Sequence, residues 1–123
     1  MSWRRNLLWV DCLGGLVAGL IVLSLSSWLV DLYALPRALV VGIGLANVCY
    51  GTFSLSLAGR SARPPSLIAL LVGANATWAA LCAVAAFTLW GTASAFGIAH
   101  LVGEGLFVGG LAWLEWSARA ELA

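Results

Sequence analysis

An all-α membrane protein, built as an antiparallel bundle of four transmembrane helices with both termini cytoplasmic, is the fold class this sequence predicts. Three observations carry that prediction: an extreme apolar composition, four long apolar runs, and a lopsided placement of arginine. The chain has 123 residues, of which 63% are hydrophobic and 9% charged, with a mean hydropathy of +1.02. A soluble domain is about half apolar and about one quarter charged. A chain this short has no core large enough to hide so much apolar surface from water. The solvent must be lipid, which excludes a soluble enzyme, a disordered chain and a nucleic-acid binder.

The apolar runs cover about residues 7–30, 38–58, 65–89 and 93–113, each long enough for the ~20 helical residues that span a hydrocarbon core. Lipid offers no partner to free backbone groups, so each run must be a helix. The first follows Arg4-Arg5 in the manner of a signal peptide. Its run is too long for such a segment and no A-x-A site follows it, so an uncleaved helix is expected. The second begins after the Asp31–Arg37 break, which contains Pro36. The third begins after the loop GRSARP (59–64), with Pro65 suited to a first helical turn. The fourth follows the short break Trp90–Thr92. Links this short make consecutive helices antiparallel neighbours.

Arginine placement gives the orientation. Arg4, Arg5, Arg60, Arg63 and Arg119 fall on one side, Arg37 alone on the other, and the positive-inside rule puts both termini in the cytoplasm. Trp3, Trp9, Trp28, Trp90, Trp113 and Trp116 mark the span ends, where indole rings prefer to lie. The expected location is a multi-pass position in the cell membrane, of the bacterial inner-membrane type. Six basic residues, every one Arg, oppose five acidic ones for a net charge of +1, which leaves no polybasic patch for nucleic acid. Cys12, Cys49 and Cys82 are odd in number and lie in apolar runs, so free thiols are expected.

The residues out of place in lipid are Asp11, Asn47, Asn75, His100 and Glu104. At about 100° per residue, Asp11 shares a face with Gly15, Ala18 and Val22, with Gly19 at its margin. Asn47 aligns with Gly51, Ser54 and Ala58, and Asn75 with Ala79, Cys82 and Ala86. His100 and Glu104 lie one turn apart on a stripe that continues to Phe107 and Leu111. Small residues let membrane helices approach closely, and polar groups there bond across the seam. The reading is an inward cluster of Asn47, Asn75, His100 and Glu104, with Glu104 near the midplane and His100 its first partner. Asp11 is expected close to the cytoplasmic surface, within reach of water or of Arg4 and Arg5. Asp31, Glu115 and Glu121 are expected to be interfacial or solvated.

Two glycine steps complete the pattern. Gly15 and Gly19 lie near the inward face of the first span. Gly105 and Gly109 lie on the fourth, roughly opposite Glu104, and suggest a homodimer through that helix. The sequence A-N-x-x-aromatic-small occurs twice, at Ala46–Gly51 and Ala74–Ala79.

For function, the leading expectation is a structural or accessory membrane component whose polar cluster fastens the helices. The alternative is a homo-oligomeric small transporter or channel subunit that binds a proton or cation at Glu104 and His100. A second alternative is a haem- or metal-binding membrane protein built around His100. No enzyme activity, catalytic residue, cofactor or metal ligand is assigned. The partners expected are the lipid bilayer and a second copy of the chain.

Overall fold

The computed structural model describes residues 6–122, and these are arranged in helices without a strand. They form α1 (Leu7–Ser24), α2 (Ser26–Tyr33), α3 (Arg37–Ala58), α4 (Pro65–Thr88), α5 (Ala95–Ser117) and α6 (Arg119–Leu122). Among them α1, α3, α4 and α5 are long and apolar enough to cross a membrane, so the fold is an all-α, four-span bundle. Trp3, Arg4 and Arg5, to which the sequence assigns a membrane-surface position, lie outside the described residues.

Two boundaries differ from the sequence reading. The first run divides at Leu25, whose φ of −104° and ψ of 13° leave the helical region. The hydrogen-bond ladder nevertheless continues through it, from Leu25 N to Ile21 O (3.0 Å) and from Leu29 N to Leu25 O (2.8 Å). Helix α2 then continues past Val30 to Tyr33 and stops at Ala34, which takes the left-handed conformation with φ 53°. Pro36 follows, and the residue before a proline is steered away from helix. The last span differs more, because α5 runs past Trp113 to Ser117. Its final turn therefore carries Glu115 into the bundle.

Local chemistry sets the other helix ends. Pro36 and Pro64 precede α3 and α4, and Pro65 occupies the first turn of α4. Ser94 caps α5, its Oγ accepting from Gly97 N at 3.2 Å, while its hydroxyl donates to Leu32 O at 2.6 Å. The Ser94 amide also donates to Tyr33 O at 2.9 Å, so one serine starts α5 and ties it to the end of α2. Arg63 closes the opposite end of the molecule. Its guanidinium donates to Leu57 O (2.6 Å), Ala58 O (3.3 Å) and Leu122 O (2.7 Å), binding carbonyls at the ends of α3 and α6.

The long helices pack chiefly as two pairs, α1 with α3 and α4 with α5. The first pair meets along glycine. A β-carbon on Gly19 would lie 2.8 Å from Gly44 O, one on Gly15 2.9 Å from Asn47 O, and one on Gly51 2.7 Å from Leu16 N. Those distances are below van der Waals contact, so only glycine permits this approach. In the second pair, Gly105 and Gly109 rest on α4, where added β-carbons would sit 3.4 Å from Cys82 Cβ and Ala79 Cβ. The groove assigned from sequence to a second copy of the chain is thus occupied within the chain. The reason is complementarity, since the glycines of α5 meet the small-residue ridge of α4.

Apolar cores close the bundle at both ends. One contains Leu7, Leu8, Leu57, Ile68, Leu71 and Leu122; the other contains Val22, Leu29, Val40, Ile43, Ala86 and Leu101. Between them the two helix pairs face each other across a seam that holds most of the buried polar side chains. Although α3 and α4 are consecutive and joined by a short loop, a cavity separates them midway. Lipid-facing surfaces carry exposed Leu, Val and Phe, and Trp9, Trp28, Trp90, Trp113 and Trp116 are exposed near helix ends. Trp78 differs: it sits mid-helix and half-buried.

Candidate functional site

The seam contains two polar groups of side chains. The first is centred on Glu104, whose side chain is 8% exposed. Its Oε2 accepts from Asn47 Nδ2 at 3.1 Å and from Trp78 Nε1. Its Oε1 lies 3.0 Å from His100 Nε2, one helical turn earlier. His100 Nδ1 in turn lies 3.0 Å from the Tyr33 hydroxyl, and the two rings stack at a tilt with centroids 5.2 Å apart. Burial pushes the Tyr33 phenol up, and the Glu104 charge acts in the same direction, so this hydroxyl keeps its proton. With His100 in its Nε2–H tautomer, Tyr33 donates to Nδ1 and Nε2–H donates to Glu104. The result is a continuous chain of hydrogen bonds, Tyr33 to His100 to Glu104, drawn from α2 and α5 and completed by Asn47 of α3 and Trp78 of α4.

The second group is centred on Asn75, which is 1% exposed. Its Nδ2 donates to Asp11 Oδ2 at 3.1 Å and to Glu115 Oε1 at 2.9 Å. Asp11 is 3% exposed and Glu115 is fully buried, and Glu115 Oε2 has no hydrogen-bond partner. Two carboxyl groups therefore meet at one amide. Nearby, the Tyr50 hydroxyl donates to Leu71 O and joins α3 to α4. Along α5, Glu104 and Glu115 are about 16 Å apart at 1.5 Å rise per residue, so the two groups occupy different depths.

Of the four residues the sequence places in one cluster, the structure brings Asn47, His100 and Glu104 together and sets Asn75 apart with the second group. Asn47 and Asn75 do not bond each other; Asn47 serves one carboxyl group and Asn75 two. Asp11 is buried rather than bathed by water. Glu115, which the sequence reading leaves solvated, is buried because α5 is one turn longer than expected. A signal for it was present: the stripe from Glu104 through Leu111 reaches Glu115 four residues later. Trp78 and Tyr50 were also missed as hydrogen-bond donors, although each is the aromatic residue of the repeated A-N-x-x-aromatic-small pattern. No sequence signal pointed to Tyr33, which lies beyond the expected end of the first span.

A cavity of about 540 Å³ lies along the seam between α3 and α4. Asp11, Asn47 and Asn75 contribute its polar wall, and Tyr50, Trp78 and Phe107 its aromatic one. Cys12 and Cys82 are buried free thiols and Cys49 is an exposed one. Among the described residues, no group of three or more His, Cys, Asp or Glu side chains is placed to hold a metal ion.

Fold and seam together define a small, all-helical, multi-pass membrane protein with buried polar joints. Comparison of the chain with protein-family models, with curated proteins and with solved structures finds no match.

Proposed function

We propose that the protein is a structural or accessory component of a membrane, in which two polar joints lock two glycine-packed and small-residue-packed helix pairs into one unit. The observation that carries this reading is the direction of the side-chain bonds. Asn47 to Glu104, Asn75 to Asp11 and Tyr50 to Leu71 all run from one helix pair to the other. Each such bond between membrane helices contributes about 0.5–2 kcal/mol. Lipid supplies no hydrophobic drive between helices, so bonds of this kind decide how the two pairs are held.

A second reading is favoured by one specific arrangement. The Tyr33–His100–Glu104 chain leads from the loop end of α2 to a carboxylate inside the span, and an ionisable group at that depth is the usual means of binding a proton or cation. On this reading the protein is a small transporter or channel subunit acting as a homo-oligomer, since four helices enclose little water.

One experiment separates the two. Wild type and Glu104→Gln are reconstituted into liposomes, and proton and cation flux is followed with an internal pH dye and an ion-selective probe. The structural reading expects no flux from either protein, together with a lower melting temperature for the variant. Flux from wild type that disappears in a folded Glu104→Gln protein overturns it in favour of transport.

A further inference from the structure

We propose that the cavity between α3 and α4 is a binding site for a lipophilic organic cation that enters sideways from the bilayer and places its charge at Asp11. This goes beyond the joint-forming role and places the ligand's charge at Asp11, although the cavity shares Asn47 and Trp78 with the Glu104 group.

Several observations converge on that ligand class. The cavity, about 540 Å³, is of the size that small organic ligands occupy. Its lining includes Leu70 and Leu81 of α4, which are 58% and 53% exposed on the apolar surface of the bundle. A ligand that reaches it must therefore partition into the membrane. Charge complementarity fixes the sign. Asp11 forms part of the wall, and behind it stands Glu115, with the single neutral amide of Asn75 shared between the two.

Two described arginines near this end are engaged elsewhere, Arg63 on backbone carbonyls and Arg119 over the Trp116 ring. Among the described residues, Asp11 thus presents its carboxyl to the pocket wall with the neutral Asn75 amide as its donor, and a cation beside it is the complementary partner. The rest of the wall suits the body of the ligand. Tyr50, Trp78 and Phe107 bring three aromatic rings to one chamber, and aromatic faces attract organic cations whose own hydration is weak.

The binding test uses the full chain in lipid nanodiscs, with benzyltrimethylammonium as the probe and neopentylbenzene, its uncharged carbon analogue, as the control. Saturation-transfer NMR against empty nanodiscs reads the occupancy. The ammonium is expected to bind saturably, and the carbon analogue about tenfold more weakly or worse. Asp11→Asn keeps the shape and an acceptor for Asn75, and should weaken the ammonium by about tenfold while leaving the analogue unchanged.

Should Asp11→Asn fail to fold, Gly73→Leu serves instead. Gly73 lines the cavity and a β-carbon there meets nothing within 4 Å, so the leucine fills the chamber and should abolish binding without disturbing the helices. Equal binding of the two probes, or ammonium binding untouched by Asp11→Asn or by Gly73→Leu, overturns the proposal. So does a lipid acyl chain that holds the chamber against the ammonium.

Discussion

Asn47 donates both to Glu104 Oε2, at 3.1 Å, and to Ile43 O on its own helix, at 2.9 Å. The second bond fixes the rotamer that makes the first. A carboxamide is the one side chain of this size that offers two protons in that plane. Asn47→Asp removes both donors and sets a second carboxylate against Glu104, whereas Asn47→Leu only removes the donors. Thermal unfolding in detergent, followed by circular dichroism, should show leucine costing about 0.5–2 kcal/mol and aspartate costing more. An aspartate variant as stable as wild type would contradict this geometry.

Asn75 is the more demanding position. It is the donor shared by Asp11 and Glu115, and both carboxyl groups are buried. Asn75→Leu leaves two acidic groups without that amide, and each stranded buried group costs about 1–3 kcal/mol. The variant should therefore be less stable than Asn47→Leu in the same assay. Restoring stability by adding Glu115→Leu to Asn75→Leu is the expected second-site effect, because the most enclosed carboxyl is then gone.

The glycine contact between α1 and α3 gives a positional prediction. Gly19→Leu drives a side chain into Gly44 O and Val48, where even a β-carbon would lie within 2.8 Å. It should prevent accumulation of folded protein. Gly42→Leu, on the same pair of helices but with open space around its β-carbon, should accumulate as wild type does. Size-exclusion chromatography of a fluorescent-protein fusion reads both outcomes.

Arg63 offers a test outside the hydrophobic span. Its guanidinium holds three carbonyls from the ends of α3 and α6 in one fork. Arg63→Ala should cost about 1–3 kcal/mol, as expected for bonds from a charged donor to carbonyls at helix ends. Arg63→Lys should recover little of it, because an ammonium cannot reproduce the planar fork. Hydrogen exchange at residues 119–122 should rise in both variants, and unchanged protection there would contradict the role.

The four spans were legible because lipid makes a coarse demand, about twenty apolar residues in a row, and the sequence meets it four times. The inward faces of α1 and α3 were legible for a related reason. Asp11, Gly15 and Gly19 recur at helical spacing, and the structure buries all three. What could not be read was how the faces pair. Helical periodicity gives each helix a direction but no rotation relative to its neighbours. Gly105 and Gly109 could accordingly be assigned to a second copy, although Ala79 and Cys82 receive them in the same chain. The same gap let one cluster be expected where two exist, since Asn75 sits at the level of Glu115 and Asn47 at the level of Glu104. Glu115 was missed by a single helical turn, the margin by which α5 outran its apolar run.

The glycine contacts between α1 and α3 involve only residues from Cys12 to Gly51. Both helices of that pair precede α4 and α5 in the chain. The joints to Glu104 and Glu115 must await the last helix. In chain order, then, the first hairpin carries an Asp11 whose donor Asn75 comes with α4 and an Asn47 whose acceptor Glu104 comes only with α5.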